Sequence, residues 1–184
     1  ADAKELPNGE IGELVVRGPQ ASPKYVTGLG NLEQKPAATN DPNCLAKISD
    51  GDTFWHRMGD VGYFDREQRF WYCGRKSQRV QTKTETLFTI PVESIFNRHP
   101  QVKRTALIGV PHAGADLPVV VFEGITKNID KRIEADLREI SRSHSMTRSI
   151  EIFVSHSKMP VDIRHNSKIL REELTAWARQ LELP

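Results

Sequence analysis

Short apolar runs separated by turn residues fill the first part of the chain, and helical spacing of apolar positions sets in only later. Pro7-Asn8-Gly9 is a turn signal, and residues 11–16 follow as a short strand carrying Leu14, Val15 and Val16. Residues 18–53 lack periodicity and are rich in Pro, Gly, Asn, Asp and Thr, which predicts loops around short strands. Residues 53–57 then read as a strand, Gly59-Asp60 as a turn, and 61–64 as a second strand. The polar stretch 65–69 is a hairpin tip, and 70–73 return as a strand. Up to this point the pattern is antiparallel β structure.

Residues 74–76 are a natural boundary, and beyond them the pattern predicts an α/β unit. Residues 78–80 and 87–89 pair as a small hairpin. Ile90-Pro91-Val92-Glu93 opens a helix to about Arg98, with Pro91 suited to its first turn and His99-Pro100 ending it. Residues 105–110 form a strand, 111–117 a loop, and a second strand runs through Glu123. Asn128 caps a helix over 130–142, whose Ile133, Leu137 and Ile140 share one face. Residues 150–154 are a third strand. Ile169, Leu170, Leu174, Trp177, Ala178 and Leu181 make an amphipathic last helix. The predicted fold is therefore α/β (α+β): a β-rich first part, then a small unit with a central three-stranded sheet flanked by helices.

Composition narrows the class. A chain of 184 residues allows one domain or two and buries about 70% of its unfolded surface, so it needs neither disulfides nor a metal to hold a core. The longest apolar run, residues 117–122, is of strand length and contains Pro118, far short of the roughly 20 residues of a membrane helix. The net charge of +2 gives no basis for nucleic-acid binding. Cys44 and Cys73 stand far apart and predict ordinary thiols in a reducing cytoplasm. The start of the chain has no secretory apolar region and no Met, which points to a processed chain or a fragment.

Three places carry candidate chemistry. Arg66, Arg69, Arg75, Lys76, Arg79 and Lys83 outnumber Asp65 and Glu67, which fits either a phosphate-facing junction or a solvated hairpin. Asp60 either caps backbone N–H groups in a turn or accepts two ribose hydroxyls. Lys168 follows the capping residues Asn166 and Ser167, in the first turn of the last helix. A cation there opposes the helix dipole unless it meets an anion. The six histidines show no metal spacing, and neither a P-loop nor a GxSxG motif occurs. No complete catalytic constellation is present.

Three blocks in order carry a resemblance. They are Gly9-Glu10-Ile11-Gly12-Glu13-Leu14-Val15-Val16-Arg17-Gly18-Pro19, the stretch from Trp55 through Gly59-Asp60 to Gly74-Arg75-Lys76-Ser77, and Met159-Pro160-Val161-Asp162-Ile163-Arg164-His165-Asn166-Ser167-Lys168-Ile169-Leu170-Arg171. Together they resemble the C-terminal third of the adenylate-forming (ANL) superfamily of AMP-dependent synthetases and ligases. Within it they are most similar to the β-lactone synthetase branch of olefin biosynthesis, often labelled fatty-acid CoA ligase. The resemblance implies a tail of the large adenylation domain over 1–74 and a mobile C-terminal domain over 75–184. It implies that Asp60, helped by Arg75, holds the ribose of ATP or AMP. It puts the hinge at Lys76-Ser77, where the family usually has Asp in place of Ser77. It makes Lys168 the catalytic lysine that meets the carboxylate and α-phosphate. The loop from Pro160 to Lys168 is longer than the family's usual form, and Ser167 stands where the family has Gly. Mg-ATP and a long-chain, β-hydroxy carboxylic acid are the implied partners, together with a missing N-terminal domain that carries the phosphate loop. The fragment alone is expected to be inactive. An acyl-CoA ligase using coenzyme A, or a non-catalytic docking module that kept the fold, are the alternatives.

Overall fold

The computed structural model of the chain describes residues 3–25, 45–126, 132–165 and 168–183. Two compact units divide it, Ala1–Tyr72 and Cys73–Pro184. No helix among the described residues is long and apolar enough to cross a membrane.

The first unit is built on a four-stranded antiparallel sheet. Its strands are β1 (Gly12–Val16), β2 (Lys47–Asp50), β3 (Thr53–Phe64) and β4 (Phe70–Arg75), and β3 pairs with the other three. The expected turn at Gly9 is present, with the Glu10 N–H donating to Pro7 O at 3.1 Å. The expected hairpin tip at 65–69 is also present: the Asp65 carboxylate accepts from the Glu67 and Arg69 N–H groups and from Trp71 Nε1. The expected turn at Gly59-Asp60 is not. The backbone continues as one strand of 12 residues, and the irregularity is a bulge. Val15 pairs with Arg57 and Glu13 with Val61, so Leu14 alone stands opposite Met58, Gly59 and Asp60. Gly59 takes φ +68°, and that local twist absorbs the extra residues without reversing the chain.

The second unit has the predicted three-stranded sheet, in the order β7 (Val102–His112), β8 (Ala115–Gly124), β9 (Ile152–Ser155). β7 and β8 are antiparallel, and β9 runs parallel to β8 after crossing back through a helix. The expected loop over 111–117 is instead a two-residue turn at Ala113-Gly114, both at positive φ, with strand pairing down to His112 opposite Ala115. Ahead of the sheet, β5 (Val80–Gln81) and β6 (Thr86–Leu87) form the small hairpin.

Alternation along β7 and β8 makes two cores. Leu107, Val120 and Phe122 face one side, where α1 (Thr89–Phe96) brings Val92 and Phe96, and α2 (Arg132–Ser143) brings Ile133 and Leu137. Phe96 meets Phe153 edge-on, 5.2 Å between ring centres. Ala106, Ile108, Val110, Val119 and Val121 face the other side, covered by Met159 and by Leu174 and Ala178 of α3 (Arg171–Ala178). Burial on both faces explains why β8 reads as a continuous apolar run. The proposed cap Asn128 lies outside the described residues.

The last helix differs from expectation. It starts at Arg171, so Lys168 is not in its first turn. Lys168–Ile169 form β11, which pairs with β10 (Val161–Asp162) in a short hairpin arm. Local strand pairing with Val161–Asp162 overrides the helical spacing at Ile169 here. Asn166 and Ser167, read as helix caps, lie outside the described residues. Glu172 and Glu173 occupy the first turn of α3, where acidic groups suit the dipole.

Candidate functional site

Lys168 sits opposite Asp162 on the arm and is exposed. It lines a groove of about 630 Å³ in the second unit, together with Ser77, Arg79, Asp116, Arg171, Glu173 and Arg179. The arm is fixed at its base. The Leu170 N–H donates to Pro160 O at 3.0 Å, and Met159 is buried beside them. The Met159 N–H donates to Glu123 Oε2 at 3.1 Å. Burial pushes the Glu123 carboxyl up, but Lys103 Nζ at 2.6 Å, the Met159 amide and Arg104 outweigh it, so it lies below the ordinary glutamate value.

Immediately after the arm, Arg171 turns inward. Its Nη1 and Nη2 donate to Glu93 Oε1 and Oε2 at 2.6 and 3.0 Å, and Nη1 also donates to Leu107 O at 3.1 Å. Glu93 Oε1 in turn accepts the Leu107 N–H at 2.8 Å. Burial raises the Glu93 carboxyl above its usual value, against the pull of Arg171 and the amide. Neither residue stood out in sequence. The available signals were a carboxylate in the apolar helix α1 and an Arg three positions after Lys168.

Ser77 is exposed in a single 3-10 turn, Lys76–Gln78, with extended backbone at Arg75 and Arg79 on either side. A tight turn between extended residues is a common form of connector. Arg75 is the last residue of β4 and is exposed. Asp60 is half-buried in the bulge of β3, in the first unit. Bulges re-aim side chains and are common beside sites. The structure thus brings Ser77 and Lys168 to one groove, while Asp60 belongs to the other unit. Part of the basic stretch is consumed locally, since Arg69 pairs with Asp65 at 2.7 Å and with Glu67 at 2.7 Å.

No protein-family profile matches the chain. Olefin β-lactone synthetases from Xanthomonas campestris pv. campestris and Stenotrophomonas maltophilia are 46% and 43% identical to it, over 95% and 97% of its length. Over nearly its whole length the chain is similar to these two synthetases. It spans 31% of the length of both those relatives. A 4-chlorobenzoate–CoA ligase from Arthrobacter sp. is 39% identical over 67% of this chain and 22% of its own. The fold of the chain also matches that of ATP-bound MatB from Rhodopseudomonas palustris, with TM-score 0.74 and 22% identity over 96% of this chain and 32% of that one.

Proposed function

We propose that the chain is part of an ATP-dependent, AMP-forming enzyme that activates a long-chain β-hydroxy carboxylic acid and closes it to a β-lactone. The observation that carries this reading is the 46% identity to an olefin β-lactone synthetase over 95% of the chain. The exposed Lys168 at the groove, whose amine has no partner among the described residues, is consistent with it.

The chemistry asks for such a lysine. A carboxylate is a poor acyl donor, so its oxygen attacks the α-phosphorus of ATP and the bond to pyrophosphate breaks. Two anions approach as charge gathers on the phosphoryl oxygens, and a cation aimed there lowers the barrier. In the proposed cycle Lys168 supplies that charge, and Asp60 with Arg75 holds the ribose. Residues 1–74 form the tail of the large adenylation domain, and 75–184 turn about Lys76-Ser77 as the mobile domain. Once the domain swings, the 3-hydroxyl oxygen attacks the acyl carbon, AMP departs with the bond electrons, and the hydroxyl proton passes to solvent. This step is intramolecular and consumes no coenzyme A. The phosphate loop and the acyl pocket belong to the N-terminal domain that partners this chain, and the cytoplasm supplies ATP as Mg-ATP. Among the described residues, no group of three or more His, Cys, Asp or Glu could hold a metal ion.

The test is product analysis on the intact enzyme, given a long-chain 3-hydroxy acid and ATP without coenzyme A. AMP, pyrophosphate and a β-lactone are expected. Turnover only with coenzyme A, giving a thioester, would favour an acyl-CoA ligase, the reading to which the 4-chlorobenzoate–CoA ligase similarity points.

A further inference from the structure

We infer that Glu93 and Arg171 are positioning residues for Lys168, a clamp that fixes the root of the lysine arm to the edge of the central sheet. The inference rests on the proposed role of Lys168. β7 is an edge strand of the three-stranded sheet among the described residues, and its residues alternate between bonding β8 and pointing outward. The outward groups of Leu107 are both taken by the clamp, its N–H by Glu93 Oε1 and its C=O by Arg171 Nη1. The pair stands in for a neighbouring strand at that one residue. It joins α1, β7 and the start of α3 through a two-pronged contact whose planar geometry fixes direction as well as distance.

A buried ion pair is a poor source of stability, because well-packed apolar residues of similar volume hold a fold equally well. Its distinctive property is orientation. Arg171 lies three residues after Lys168, about 10 Å along an extended chain. The other end of the arm is held through Met159 and Glu123. Lys168 is therefore carried on a short hairpin fixed at both roots, and a loosened root displaces its amine. A misplacement of about 1 Å costs on the order of 10²-fold in rate.

The experiment uses the intact enzyme and reads ATP–pyrophosphate exchange beside thermal melting. In the double variant E93L/R171M the ion pair becomes apolar but Leu107 loses the partners of its N–H and C=O, so melting is expected to fall by about 5–15 °C with the chain still folded at assay temperature. Its kcat for adenylation should fall by about 10²-fold while KM for ATP stays within about twofold. Conversion of pre-formed acyl-adenylate should be unchanged. Arg171→Lys keeps the charge but not the fork, and should recover part of the loss. Wild-type kcat in folded E93L/R171M overturns the inference. Should that variant not fold, Glu93→Gln keeps the size but sets an amide N–H donor against one prong of the Arg171 fork, and wild-type kcat there overturns it equally. Lys168→Ala separates the two ideas. If it is slow while the clamp variants are fast, the clamp alone is wrong; if it adenylates at the wild-type rate, the role of Lys168 falls first.

Discussion

Gly74 lies where β4 leaves the first unit for the second, and replacing it with Ala tests how tightly that passage is built. Its φ is +125°, a conformation that L side chains rarely adopt, which costs about 1–3 kcal/mol when forced. A Cβ added there would sit 2.3 Å from Thr89 Oγ1 and 3.6 Å from Thr89 Cβ. Thr89 is 2% exposed and begins α1, so it has no solvent to swing into. Overpacking of this kind adds about 1–3 kcal/mol. The combined cost is about 2–6 kcal/mol, a large share of the 5–15 kcal/mol typical of a domain. The assay is amide hydrogen exchange at Val120 and Phe122, central residues of β8 that report opening of the second unit. Gly114→Ala is the comparison, because Gly114 has φ +84° but nothing within 4 Å of its added Cβ. It carries the strain alone. Removing the hydroxyl in Gly74→Ala/Thr89→Ala should recover the steric part. A Gly74→Ala loss no larger than that of Gly114→Ala would refute the reasoning.

The other expectations concern charge, hinge and ligand. Glu123 is held below its ordinary value, so the folded chain releases that proton more readily than the unfolded one. Its stabilisation is therefore present above the unfolded glutamate pKa of about 4.3 and is lost as pH falls through the lower folded value. The gap in urea midpoint between wild type and Glu123→Gln should be wide at neutral pH and close in acid, and a gap independent of pH would contradict this. Ser77→Pro fixes φ near −65° at the proposed hinge. In the intact enzyme it should slow one half-reaction far more than the other, as single-turnover kinetics on each would record. The 184-residue chain alone should bind ATP no better than micromolar by calorimetry, because the proposed contacts reach only the ribose side.

Much of this was readable from the residues. Ile133, Leu137 and Ile140 announced α2, and the run around Val119–Phe122 announced a strand, whose burial on both faces the structure adds. Three features were not readable because their cause lies elsewhere in the chain. Gly59-Asp60 has the composition of a turn, but Leu14 on the partner strand decides that it is a bulge. Ala113 takes φ +48° because β7 and β8 pair to the very end, which no local signal announces. Lys168 and Ile169 share helical spacing with Leu170 to Leu181, yet Val161 and Asp162 draw them into a hairpin. The correction at Lys168 matters to the chemistry. Off the helix, the lysine's position depends on the roots of the arm. Glu93 and Arg171, which hold one root, are 78 residues apart and could only be joined by the fold.

The central claim is that Lys168 provides transition-state charge for adenylation and little else. In the intact enzyme, a burst assay of pyrophosphate release should show Lys168→Ala slower by about two to three orders of magnitude, the scale of one lost electrostatic donor. Its melting temperature should barely move, because an exposed substitution costs about 0.5 kcal/mol or less. Turnover of pre-formed acyl-adenylate should survive. Wild-type pyrophosphate release from a folded Lys168→Ala enzyme would contradict the account.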